Sequence, residues 1–237
     1  MKNIKIIIAA LILCLTYSGA FAHALWIETS SSGKSGQKHT VKVFYGEFVT
    51  GERDSVAKWY SDVKDFSLWL VGPNHEKVQL NLTPGTNYLE SSFVPDQDGG
   101  YTLLVSHEAK ELGGATKYHF LSSATVSVGK TLPEIGDNTN ALTVYTEDLL
   151  SAKKNKPLQL KALLKGAPAA GKAITVFSSN GWSKELLTDS NGSARFTPLW
   201  PGQYVVEVSD TDKTPGQHYG KDFKATWKGA TYSFEIK

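Results

Sequence analysis

The sequence predicts an all-β protein, two antiparallel immunoglobulin-like β-sandwich domains that follow a cleaved signal peptide. Three observations carry that prediction. Short segments of alternating apolar and polar residues recur along the chain. Turn signals separate them at a spacing of roughly 8–12 residues, the rhythm of a sandwich. A polar stretch punctuated by Pro133 and Gly136, Thr131–Asn140, reads as a linker between a domain over 23–130 and another over 141–237.

The chain opens with Lys2 and Lys5 ahead of an unbroken apolar run from Ile6 to Leu15. Ala20-Phe21-Ala22 then supplies the small-x-small pattern of signal cleavage. A cut after Ala22 removes residues 1–22 and makes His23 the first residue of the mature chain. A terminal amine and the ring nitrogen of that histidine chelate one ion, and a second imidazole completes a nitrogen site suited to Cu(II), Ni(II) or Co(II). A cut after Ala20 places His23 third, where amine, amides and imidazole wrap a square-planar ion. A cut after Ala24 would remove the chelator.

Cleavage also changes the inventory. Cys14 and Met1 lie in the leader, so the mature chain contains no sulfur. Disulfide staples are excluded, and any metal site must use nitrogen and oxygen. The 25 basic residues lose Lys2 and Lys5 and balance the 23 acidic ones, which gives no reason to expect nucleic acid or anionic membrane as partner. Beyond the leader, no apolar run approaches the roughly 20 residues of a membrane span, so a soluble periplasmic protein is expected.

Strands are expected at Leu25–Thr29, His39–Gly46, Phe66–Val71, Lys77–Leu82, Tyr88–Phe93, Tyr101–His107 and Tyr118–Val128. Gly72-Pro73-Asn74, Pro84-Gly85-Thr86 and Asp98-Gly99-Gly100 are turns between them. Val56, Trp59, Tyr60 and Val63 recur at helical spacing, which predicts a short helix. Past the linker, strands are expected at Leu142–Thr146, Pro157–Leu164, Ala173–Phe177, Lys184–Leu187, Ser193–Thr197, Tyr204–Val208 and Thr231–Ile236, the count of an immunoglobulin-like sandwich.

All six histidines lie beyond the leader. His39 and His75 read as solvated. Antiparallel counting brings His107 close to His119 across a hairpin, with Glu108 adjacent, although a one-residue slip sends the rings to opposite faces. His218 and Asp212 share a polar loop of lower promise. The expected metal ligands are therefore His23, His107, His119 and Glu108, with His218 and Asp212 behind them. Gly-x-Ser-x-Gly, His-Glu-x-x-His and phosphate-loop patterns are absent, so no enzyme is expected.

Residues Ala22-His23-Ala24-Leu25-Trp26-Ile27-Glu28 and Phe44-Tyr45-Gly46-Glu47 carry a family resemblance. So do Lys165-Gly166-Ala167-Pro168, Thr188-Asp189-Ser190-Asn191-Gly192, Pro201-Gly202-Gln203-Tyr204 and Ala230-Thr231-Tyr232-Ser233-Phe234. With these the mature chain resembles the NikM-like periplasmic domain family, and Ser209–Gly220 departs from its pattern. The resemblance implies a periplasmic, metal-associated, non-catalytic role in nickel or cobalt uptake, with a membrane transporter as partner. A divalent ion, Ni, Co, Cu or Zn, is the expected cofactor. Neutral imidazoles are needed to hold it, so affinity is expected to fall below about pH 6.5. Two other classes stay open. One is a module recognising a protein or glycan through some of the six tryptophans; the other is a copper-dependent polysaccharide oxygenase built on an N-terminal histidine and a second imidazole.

Overall fold

The computed structural model describes residues 23–237, and the expected signal peptide, residues 1–22, lies outside the described residues. The protein is built almost wholly of β-strands, with 3-10 turns between some of them. The strands fall where alternation and turn chemistry place them, generally within a residue or two. Leu142–Thr146 matches at both ends.

Two sheets form the N-terminal half of the molecule. One runs Ala24–Glu28, His39–Glu47, Leu89–Phe93 and Thr83–Pro84, with Glu52–Arg53 paired to the free edge of His39–Glu47. The other is a long sheet of nine strands shared by both halves. Its order is Ser183–Leu187, Ala173–Ser178, Gly202–Asp212, Ala225–Ile236, Thr116–Val128, Gly99–Glu108, Leu68–Val71 and Lys77–Leu80, with Ser32–Gly33 paired to the end of Thr116–Val128 off this path. At its centre Thr116–Val128 and Ala225–Ile236 run parallel for nine residue pairs, from Thr116↔Ala225 to Ala124↔Ser233. The rest of the path is antiparallel. A smaller sheet, Leu142–Thr146, Leu158–Leu164, Ala167–Pro168 and Ser193–Phe196, covers the C-terminal half of the long one.

Two cores follow from the alternation of these strands. Leu25, Ile27, Val41 and Val43 face Leu68, Leu103, Val105 and Val126 in the first. Val144, Leu158 and Leu160 face Ile174, Val206, Tyr204 and Phe234 in the second. Each fully buried Leu, Ile or Phe contributes about 1.5–3 kcal/mol. The strand Ala24–Glu28 is buried on both faces, because Trp26 turns away from Leu25 and Ile27 into a third cluster with Phe44, Phe48, Phe177 and Val205. Thr231 Oγ1 donates to Leu25 O at 2.7 Å and ties that strand to the long sheet.

The helix expected over Val56–Val63 is replaced by two 3-10 turns, Val56–Lys58 and Val63–Asp65. Trp59 breaks the run with extended dihedrals, φ −60° and ψ 142°. Its ring is buried against Tyr45 and Phe66, and its indole N–H donates to Asp54 O at 3.0 Å. Packing of this one ring overrides the helical spacing. Beyond Val208, where the strand was expected to stop, Gly202–Asp212 stays paired as far as Asp212↔Thr226 with Ala225–Ile236, a strand expected to begin only at Thr231. A small hairpin, Gly216–His218 with Lys221–Phe223, caps this ribbon.

Candidate metal centre

The site arises where three strands end side by side. Ala24 pairs with Gly46, so His23, one step outward, comes beside Glu47. Glu47 in turn pairs with Glu52, and Asp54 N–H donates to Tyr45 O at 2.9 Å, which extends the same ladder. Side chains alternate across a strand, so Glu52 and Asp54 share one face while Arg53 points away. Arg53 is engaged there by Glu28 Oε1 at 2.8 Å. Gly46 permits the close approach: its φ is +147°, and a Cβ there would meet Glu52 O at 2.5 Å.

Among the described residues, His23, Glu52 and Asp54 form the group of ligating side chains whose ligand atoms lie within 4.8 Å of one another. His23 Nε2 is 3.4 Å from Asp54 Oδ2, and Nδ1 is 3.7 Å from Glu47 Oε1. The imidazole is 40% exposed while the Glu47 side chain is 13% exposed, so the cluster is open outward and closed behind. The His23 ring leans on Tyr45 with 5.4 Å between centroids. Burial, then the charge of Asp54, pushes the Tyr45 phenol well up, so it stays a neutral wall.

Glu47 is the least satisfied member. Its Oε1 is buried and accepts no hydrogen bond. Burial raises its carboxyl above the ordinary carboxylate range, with nearby Glu52 adding to the rise and His23 opposing it. The imidazole of His23 with the carboxylates of Glu52 and Asp54 is a donor set of nitrogen and oxygen compatible with a divalent ion, and Glu47 stands at the other ring nitrogen.

The other expected ligands have partners elsewhere. The hairpin ladder pairs Thr102 with Thr125, and Ala109 N–H donates to Tyr118 O at its far end. That register sets His119 across from Glu108 and His107 across from Phe120, one residue from the pairing that simple counting suggests. His107 Nε2 lies 3.1 Å from Asp62 Oδ1. His119 Nε2 lies 2.8 Å from Ser106 Oγ and its Nδ1 3.8 Å from Glu108 Oε1. Burial lowers the affinity of His119 for its proton. Burial works to raise the Glu108 carboxyl, but Lys117, whose ammonium donates to it at 2.9 Å, holds it below the usual range. His218 Nε2 lies 2.9 Å from Ala109 O, and Asp212 Oδ1 accepts from Thr214 N–H at 3.0 Å. None of these five joins the group around His23. His39, expected at the surface, is buried against Phe93.

Glu52 and Asp54 are the members that sequence reasoning missed. Their signal was a Glu-x-Asp alternation just after a turn, eligible to put two carboxylates on one face of a short strand.

Fold and cluster together define an all-β protein with a histidine and carboxylates gathered at the edge of its first sheet. The chain belongs to the DUF4198 family of domains of unknown function, whose model matches residues 20–212. No curated protein matches the chain.

Proposed function

We propose that the protein is an exported, non-catalytic binder of a divalent transition metal, acting in the periplasm to buffer the ion or pass it to a membrane transporter. The carrying observation is the convergence of His23, Glu52 and Asp54 within 4.8 Å, backed by the donorless Glu47 Oε1. In this proposal Glu52 and Asp54 take the places that His107, His119 and Glu108 were expected to fill. After cleavage at Ala22 the terminal amine of His23 chelates through Nδ1, the ring nitrogen facing Glu47, whereas Asp54 stands at Nε2; on either side imidazole nitrogen favours Ni(II), Co(II), Cu(II) or Zn(II) over Mg(II) and Ca(II). The NikM-like resemblance of the opening segment supports nickel or cobalt, and the immunoglobulin-like description of the C-terminal half belongs to the same reading.

Native mass spectrometry of protein purified from the periplasm fixes the N-terminus and counts retained ions. Calorimetric titration with the four metals then compares wild type with His23→Ala. One ion per chain, and a loss of at least about tenfold (1.4 kcal/mol) in the variant, is the expected result. Equal affinity in the two proteins refutes the proposal.

A second reading, a recognition module for a protein or glycan, is supported by Trp182 and Trp200. Their rings meet edge to face at 5.9 Å, with Trp200 and Leu199 exposed. Trp26 and Trp59 are buried and take no part in such a face. A glycan array on wild type and Trp200→Ala separates this reading from metal binding. The copper oxygenase arrangement needs a second imidazole beside His23, and among the described residues carboxylates hold that position.

A further inference from the structure

Behind Glu47 a cavity of about 340 Å³ opens between the first strand pair and the outer face of the long sheet. Its existence follows from alternation. Along Gly202–Asp212, Tyr204, Val206 and Val208 point into the C-terminal core, so Val205, Glu207 and Ser209 must point the other way. Glu207 therefore projects into the cavity from the third strand of the sheet, where it is flanked across the ladders by Thr175 and Thr231. Glu47 enters the same space from the other sheet, and exposed Glu185 stands at its rim. Trp26, Phe177 and Trp227 supply apolar walls.

The charges in this space are unbalanced. Among the described residues Glu207, half-buried, makes no ion pair and no hydrogen bond, and Glu47 Oε1 is buried without a donor. Basic side chains near the cavity are committed elsewhere: Arg53 to Glu28, and Lys228 and Lys172 to Asp210. Withdrawing a carboxylate from water without a partner is costly. Burial, and then the charge of Glu47, pushes the Glu207 carboxyl up to about 7. Two carboxylates from two sheets thus face one chamber; His23 stands 3.7 Å from Glu47 Oε1, and Glu207 has no cation beside it.

We propose that this cavity is a binding site for a small organic cation, an ammonium or guanidinium head countered by Glu207 and Glu47 with its apolar flank on Trp227 and Phe177. Aromatic faces beside carboxylates suit such a head, which gains from the ring quadrupole as well as from the charge. The volume lies at the lower end for small-molecule sites, which limits the ligand to a compact amine. A bare metal ion fits this chamber less well than it fits the His23 cluster. The described ligating atoms that gather within 4.8 Å are those of His23, Glu52 and Asp54, not those of the cavity carboxylates. The site shares Glu47 with the proposed metal centre and does not depend on it.

Intrinsic fluorescence tests the proposal, since Trp26 and Trp227 line the cavity. The mature protein is titrated with n-butylammonium and tetramethylammonium chlorides at pH 8, with sodium chloride holding ionic strength constant. A saturable change is expected in wild type, with the midpoint raised at least about tenfold in Glu207→Gln. His23→Ala is expected to respond like wild type, so a failure of the metal reading leaves this result standing. Amide shifts on wild-type protein provide a second readout that needs no variant, and changes are expected at Thr175, Phe177 and Val205. The proposal is overturned by the absence of a saturable response, or by an equal midpoint in Glu207→Gln. Amide shifts confined to residues outside the cavity, or a response to Ni(II) or Zn(II) alone that Glu207→Gln abolishes, also overturn it.

Discussion

His75 Nδ1 lies 2.6 Å from Asp137 Oδ1, joining the turn after Leu68–Val71 to the stretch that connects the two halves of the molecule. Asp137 is buried and His75 exposed, so the pair docks a surface turn onto a fixed acid. The hydrogen bond and charge of Asp137 raise the proton affinity of His75. With the folded value above 6.5, the stabilisation is fully present below that pH and is lost as pH rises through the folded value. NMR titration of the imidazole should give a midpoint above 6.5 in wild type and a lower one in Asp137→Asn. An unchanged midpoint in the variant would show that the contact does not persist in solution.

Gly46→Ala should damage both fold and site. The left-handed backbone and the 2.5 Å approach to Glu52 O leave no room for a methyl group. Chemical denaturation should show a loss of about 1–3 kcal/mol. Metal affinity should fall in parallel, because the displaced strand carries Glu52 and Asp54. A fully stable variant that binds metal as wild type does would disprove the register argument.

Glu207→Gln should stabilise the protein at neutral pH. A carboxyl whose folded value is about 7 holds a proton that the unfolded chain releases near the ordinary carboxylate value. Wild-type stability should therefore decline as pH rises from about 4.5 to 7. The variant lacks that slope and should be the more stable by on the order of 1–3 kcal/mol at pH 8. Melting curves across this range check it, and identical slopes would contradict the half-buried, partnerless environment.

Asp54→Asn should weaken the proposed metal site by about tenfold, while His107→Ala and His119→Ala should leave it unchanged. Those two rings are engaged by Asp62 and Ser106. Calorimetry on the three variants distinguishes the cluster at the sheet edge from the hairpin pair.

Much of the strand pattern was legible because Val41, Val43 and Tyr45 alternate with Thr40 and Lys42, and turn pairs such as Gly72-Pro73, Pro84-Gly85, Asp98-Gly99 and Asn191-Gly192 separate segments. His23 was legible as a candidate ligand from its place after a small-x-small motif. What surrounds it was not. Glu52 and Asp54 reach it only because Gly46 lets a two-residue strand close on the edge of His39–Glu47, a contact set by tertiary register. The His107 and His119 pairing shows the same difficulty in reverse: one residue of register decides which face a side chain occupies, and local counting lacks that precision. The parallel pairing of Thr116–Val128 with Ala225–Ile236 joins segments about a hundred residues apart, and alternation within each strand says nothing about which neighbour it takes.

That pairing also bears on how the molecule is made. Ala225–Ile236 fills the middle of the long sheet, so until it arrives Thr116–Val128 and Gly202–Asp212 each present an open edge. Neither half can finish its sheet alone, and the closing step pays a large loop entropy before its hydrogen bonds form. Folding should therefore be slow and late, with two aggregation-prone edges exposed in the meantime. A chain of this design should rely on chaperones that shield β-edges until the middle strand has docked.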